Sequence, residues 1–117
     1  KREDEHIRDF ISECKKFARL HNAVVWTVAH PTKLPKEQDG SFSPPTSYQI
    51  SGSSHWANMA DVIAVVHRDF DDNTSTIYTR KIREQDLYGK IGEAKFQYNF
   101  RKYRFEPFDV SKYYDFD

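Results

Sequence analysis

Ala23-Val24-Val25-Trp26-Thr27-Val28-Ala29 is a continuous apolar run rich in β-branched residues. A strand covered on both faces reads this way, as in a parallel sheet sandwiched by helices. Upstream, Ile7, Phe10, Ile11, Cys14, Phe17, Ala18 and His21 recur at helical spacing with charges between them. The spacing predicts an amphipathic helix from about Arg2 to Leu20, ended by His21-Asn22. Helix, short turn and buried strand make half of a βαβ unit, so the expected fold class is α/β.

Downstream of the run the pattern changes. The segment from Pro31 to Ile50 holds four of the five prolines and has no periodicity. A long connection of this kind in a small domain is usually functional or disordered. His55 to Ala60 is expected as a short helix with Ser53 or Ser54 at its N-cap. Asp61 to Arg68 reads as a second buried strand, and Asp69 to Thr74 as a polar turn. From Ser75 to Glu84 residues alternate, with Ile77, Thr79, Lys81 and Arg83 on one face, which marks an antiparallel or edge strand. Gly89 and Gly92 bracket a turn. Glu93 to Asn99 and Arg101 to Phe105 read as a hairpin around Phe100. The division expected is one domain over residues 1–106 and an acidic, aromatic tail over 107–117.

Bulk properties narrow the function classes. At 117 residues the chain suits a single domain. Lys+Arg and Asp+Glu are equal at 18 each, and this neutrality argues against extended nucleic-acid contact, though not against one contact loop. The single cysteine, Cys14, excludes a disulfide framework and suits a reducing, cytoplasmic setting. No apolar run approaches a membrane span, and no signal peptide is seen. The chain starts in a charged helix without an initiator methionine, which reads as a segment of something larger.

Three stretches carry chemistry. His30 stands at the carboxyl end of the apolar run, where open α/β sheets bind ligands; taken alone it is equally a strand-end residue bonding a neighbouring carbonyl. Ser51-Gly52-Ser53-Ser54-His55-Trp56-Ala57-Asn58-Met59-Ala60-Asp61 is, taken alone, a loop–helix–strand connection. Lys81 and Arg83 share a strand face about 7 Å apart, a spacing that straddles a phosphate; taken alone they are a solvated charged face.

In this order and spacing the stretches resemble the hexameric replicative DNA helicases, in the Twinkle and phage primase–helicase branch related to DnaB. The resemblance runs from the first helix to about Phe105. It implies the C-terminal half of a RecA-like ATPase core, with parallel buried strands extended by antiparallel ones. His30 falls where the family carries its γ-phosphate sensor. Lys81-x-Arg83, before a Gly-containing turn and the aromatic strand Ala94-Lys95-Phe96-Gln97-Tyr98, resembles the strand bearing its trans-acting arginine finger. Ser51, Ser53 and Asn58 lie in the motif after the DNA-binding loop and are expected to bind DNA with it; the family commonly has Gln in place of Asn58. Lys33 and Lys36 are the expected backbone contacts to single-stranded DNA. ATP and Mg²⁺ are implied for an intact parent and neither for this stretch alone. The other implied partners are further copies in a ring, a hexamer, and no membrane.

No phosphate-binding loop is present. Gly89-Lys90 is the only Gly-Lys pair; Ile91 follows it, and Glu84 stands where the first glycine of that motif belongs. No apolar strand ends in a metal-binding acid, since Asp69 follows Val66-His67-Arg68. Two other readings remain at this point. One is a metal-dependent nuclease or hydrolase using His30, His55, Asp61 and His67, which lack zinc-like spacing. The other is a small nucleic-acid-binding or interaction module using the aromatic C-terminal strands.

Overall fold

A computed structural model describes residues 2–34, 36–50 and 53–108. The first element, α1, spans Glu3–His21. Glu3, Asp4 and Glu5 occupy its first turn and Arg19 and His21 its last, each charge opposing the partial charge of its helix end. Asn22 ends it in the left-handed region (φ 50, ψ 50), and Ala23 N–H donates to Ala18 O at 2.9 Å, a six-residue closure of the last turn.

After a long connection comes α2 (His55–Met59), then β1 (Val62–Asp69), β2 (Thr74–Ile82), a single helical turn α3 (Gln85–Tyr88), β3 (Gly92–Asn99) and β4 (Arg104–Pro107). The strands form one antiparallel sheet in the order β1-β2-β3-β4. The hairpin expected around Phe100 exists, but its turn is four residues long and β4 starts at Arg104. Asn99 accounts for the shift: its side-chain oxygen accepts from the amides of Arg101 (3.0 Å) and Lys102 (3.1 Å), holding both in the turn. Tyr98 then packs edge-on against Phe100 and Phe105. Past β4, Phe108 N–H donates to Lys95 O at 2.9 Å. Residues 109–117 lie outside the described residues.

The helix-plus-sheet composition is as expected, but two details differ. The run 23–29 belongs to no helix or sheet, and Trp26 and Val28 are 82% and 95% exposed. A strand is defined by a ladder, and no strand among the described residues pairs with this run. A cleft of ≈ 850 Å³ lies between it, α1 and β1, lined by Cys14, Ala18, Val25, Trp26, Ile63 and Val65. The apolarity that signalled burial records a need for cover that these elements do not meet. For the same reason there is no parallel pair among the described strands. β1 is covered on one face only, with Ile63 buried and Val62 and Val66 exposed.

The buried residues are few: Ile11, Ala57 and Ile63, with Thr74 and Thr76 on β2. α1 packs chiefly on α2, where Phe10 meets Trp56 edge-on at 6.4 Å between ring centroids. This contact fixes α2 beside the start of β1 and the end of β2, where the charged residues gather.

Candidate functional site

The end of β2 is irregular. Ile63 pairs with Lys81 and Ala64 with Thr79, so Arg80 is skipped in the register. Such a bulge bends its strand and re-aims side chains. Arg80 stacks on Tyr78 (4.6 Å to the ring centroid), and its Nε donates to Pro45 O at 3.1 Å, tying β2 to the long connection.

Beyond the bulge, Lys81 and Arg83 both turn toward the C-terminal end of α2. A helix leaves its last carbonyls without intrahelical donors. Here Lys81 Nζ donates to Ala57 O (2.7 Å) and Asn58 O (3.3 Å). Arg83 Nη2 donates to Asn58 O (3.2 Å) and lies 3.4 Å from both Met59 O and Ala60 O. Lys15, from α1, adds a bond to Met59 O at 3.0 Å. Asp61 is the carboxylate among these cations, with Oδ1 3.2 Å from Arg83 Nε and 3.4 Å from Lys15 Nζ. Its main-chain oxygen also accepts from Arg83 N–H at 2.9 Å. The ion pairs are solvent-accessible and each contributes about 0–1 kcal/mol. Burial holds the Lys81 ammonium below its ordinary value; Arg83 and Lys15 push the same way and Asp61 opposes them.

Lys81 and Arg83 are therefore side by side and oriented by backbone oxygens, but the bulge puts Lys81 on the face opposite Ile77 and Thr79, with which the alternation had grouped it. Positive charge exceeds negative here, which suits an anion with several oxygens.

The connection 31–50 is more ordered than its composition indicates. Pro31 bridges Ile50, Thr32 N–H donates to Gln49 O at 2.7 Å, and an inner bridge joins Lys36 to Phe42. Gly40, at φ +86, turns the tip, beside Asp39, whose carboxylate accepts from Ser41. Lys33 and Lys36 are exposed, and Lys36 Nζ lies 5.8 Å over the Phe42 ring. His30 is exposed at the base of this excursion, and no hydrogen bond or ion pair joins it to Lys81 or Arg83. Ser53 Oγ accepts from His55 N–H at 3.0 Å, so Ser53, and not the N-cap residue Ser54, supplies the hydroxyl that meets α2. Asn58 contributes its main-chain oxygen, with its side chain exposed. Ser51 lies outside the described residues.

Sequence reasoning missed Lys15, Arg80 and the ion-pairing of Asp61. Lys15 and Asp61 are distant in sequence, and a bulge leaves no mark on an alternating pattern. His30, His55, Asp61 and His67 are not brought together; among the described residues no group of three or more His, Cys, Asp and Glu could hold a metal ion. No helix among those residues is long and apolar enough to cross a membrane.

No model of a known protein family matches the chain. A curated relative, the Twinkle homolog protein, chloroplastic/mitochondrial, of Arabidopsis thaliana, is 35% identical over 102 residues, covering 83% of this chain. The chain is thus similar to a segment of the DnaB/Twinkle-like helicases. It spans 14% of that relative's length. Among solved structures, the ATPase domain of G40P superposes on 91% of the chain with a TM-score of 0.71, at 19% identity. That likeness shows the fold, a RecA-like ATPase-domain fragment, of which the chain covers 38%.

Proposed function

We propose that this stretch serves in the motor of a replicative DNA helicase, where it senses and completes ATP hydrolysis between neighbouring copies in a ring. The observation that carries the reading is the convergence of Lys81 and Arg83 beyond the β2 bulge, held by the α2 carbonyls and Asp61. In a Twinkle-like sequence, that pair is suited to reach a nucleotide on an adjacent copy. Phosphoryl transfer needs its spreading negative charge neutralised, and an arginine supplied in trans is worth about 10³–10⁵ in rate.

The residues present fit the phosphate end of a nucleotide. For its Mg²⁺, no group of three or more His, Cys, Asp and Glu that could hold a metal ion occurs among the described residues. His30, at the base of the excursion, serves as phosphate sensor. Lys33 and Lys36 neutralise the backbone of single-stranded DNA without reading its sequence. Ser51, Ser53 and Asn58, in the segment that follows, join Lys33 and Lys36 in binding DNA. The primase–helicase arrangement, the hexameric state and a cytoplasmic setting are parts of the same proposal.

The test uses the full-length protein. Arg83→Ala nearly abolishes DNA-stimulated ATP hydrolysis and leaves nucleotide binding close to normal, because the guanidinium acts on charge that develops only in the transition state. Mixing this variant with a phosphate-loop variant restores some activity, since one class of interface then combines an intact loop with an intact Arg83. Failure to complement, in rings shown to be mixed, places Arg83 on the same subunit as the nucleotide and overturns the trans reading.

A further inference from the structure

We infer that Asp61 is a positioning residue for Arg83, and that Lys15 of α1 braces it. The inference rests on the reading of Arg83 as the residue that completes hydrolysis. Asp61 stands between helix and strand: Ala60 has left the α2 conformation (φ −66, ψ 143), and β1 begins at Val62. From that junction it grips Arg83 twice. Its carboxylate Oδ1 is 3.2 Å from Nε, and its main-chain oxygen accepts from the Arg83 amide at 2.9 Å.

The division of atoms matters. A guanidinium is planar, so fixing one edge fixes the direction of the other. The carboxylate takes Nε, while Nη2 rests on the carbonyls of Asn58, Met59 and Ala60 at 3.2–3.4 Å. Those contacts are to neutral oxygens and none is shorter than the charged one, so they are the easier ones to exchange for an anion. The charged contact at Nε stays behind as the pivot. Lys15 lies 3.4 Å from the same Oδ1 and bonds Met59 O at 3.0 Å, so α1 stiffens both the pivot and the resting site. Arg83 is 44% exposed, which leaves it room to swing.

The experiment is a double-mutant cycle in the full-length protein, reading kcat and KM for DNA-stimulated ATP hydrolysis. Asp61→Asn lowers kcat by up to about fivefold with KM for ATP changed by no more than about twofold, the upper end of the scale for a solvent-accessible ion pair. On an Arg83→Ala background the same substitution has no further effect, because its action passes through the missing guanidinium. Asp61→Glu keeps the charge one methylene further out and recovers most of the rate; it also enters the same cycle should the Asn variant not fold. Wild-type kcat in Asp61→Asn overturns the inference, as does a loss by either Asp61 variant that multiplies with that of Arg83→Ala. Both outcomes leave the role of Arg83 standing. An Arg83→Ala protein with full activity removes that role and the inference with it.

Discussion

Arg83 and Lys81 reach the same carbonyl, Asn58 O, with different heads. Lys81 presents a compact ammonium that sits in the last turn of α2. Arg83 presents a flat fork that touches a carboxylate and a row of carbonyls together. Arg83→Lys should therefore preserve the fold and still rescue ATP hydrolysis poorly, since a point charge cannot hold the pivot and the far edge at once. Steady-state kinetics beside a melting curve checks this; full rescue would show that charge alone suffices. Asp72 offers a separate test at the β1–β2 turn. Its carboxyl is held below the ordinary value, chiefly by the Thr74 hydroxyl and further by Lys95. A depressed folded value means that its contribution is present above the unfolded-state value and is lost as pH falls through the folded one. Protection of the Thr74 amide should thus fall on acidification below the ordinary carboxylate range, and Asp72→Asn should remove most of that dependence. Amide exchange followed against pH decides it.

Among the elements, α1, α2 and the β-strands from Val62 onward were legible because each depends on local pattern: helical spacing in one, a short capped segment in the next, alternation in the rest. The run 23–29 was legible in its apolarity and misleading in its pairing, because a ladder depends on a neighbour that no periodicity names. The connection 31–50 was legible in having no helix or strand among its described residues and silent about its closure. Its prolines predict disorder of pattern, yet the Pro31–Ile50 and Lys36–Phe42 bridges close it across sequence separations that composition does not encode. The charged site was half legible: alternation placed Lys81 beside Arg83, while Lys15 and Asp61 came from elsewhere in the chain. Arg80 joins these elements, and its bond to Pro45 O is testable. Arg80→Met should speed exchange at the Thr32 and Gln49 amides about tenfold, the scale of one hydrogen bond lost from a local opening, and leave the Gly40 amide at the tip unchanged. Equal exchange at all three amides would show that the excursion is held by its own bridges alone.

For the molecule as a whole, the proposed charge-stabilising pair Lys81 and Arg83 occurs in a sequence without a phosphate loop. A protein made of these residues alone should turn over no ATP with Mg²⁺, because the sequence has no phosphate loop; release of labelled phosphate above background would overturn the helicase reading. The pinned base of the 31–50 excursion has a mechanical side. A slack loop absorbs a pull at its tip by uncoiling, and little arrives at its ends. Here the two limbs are clasped at Pro31–Ile50 and Thr32–Gln49, and Arg80 anchors one of them to β2. A tug on residues 37–42 then finds little slack before it reaches the clasp, one residue from His30. The excursion is built as a stiff handle, and a handle conveys both the size and the direction of a displacement.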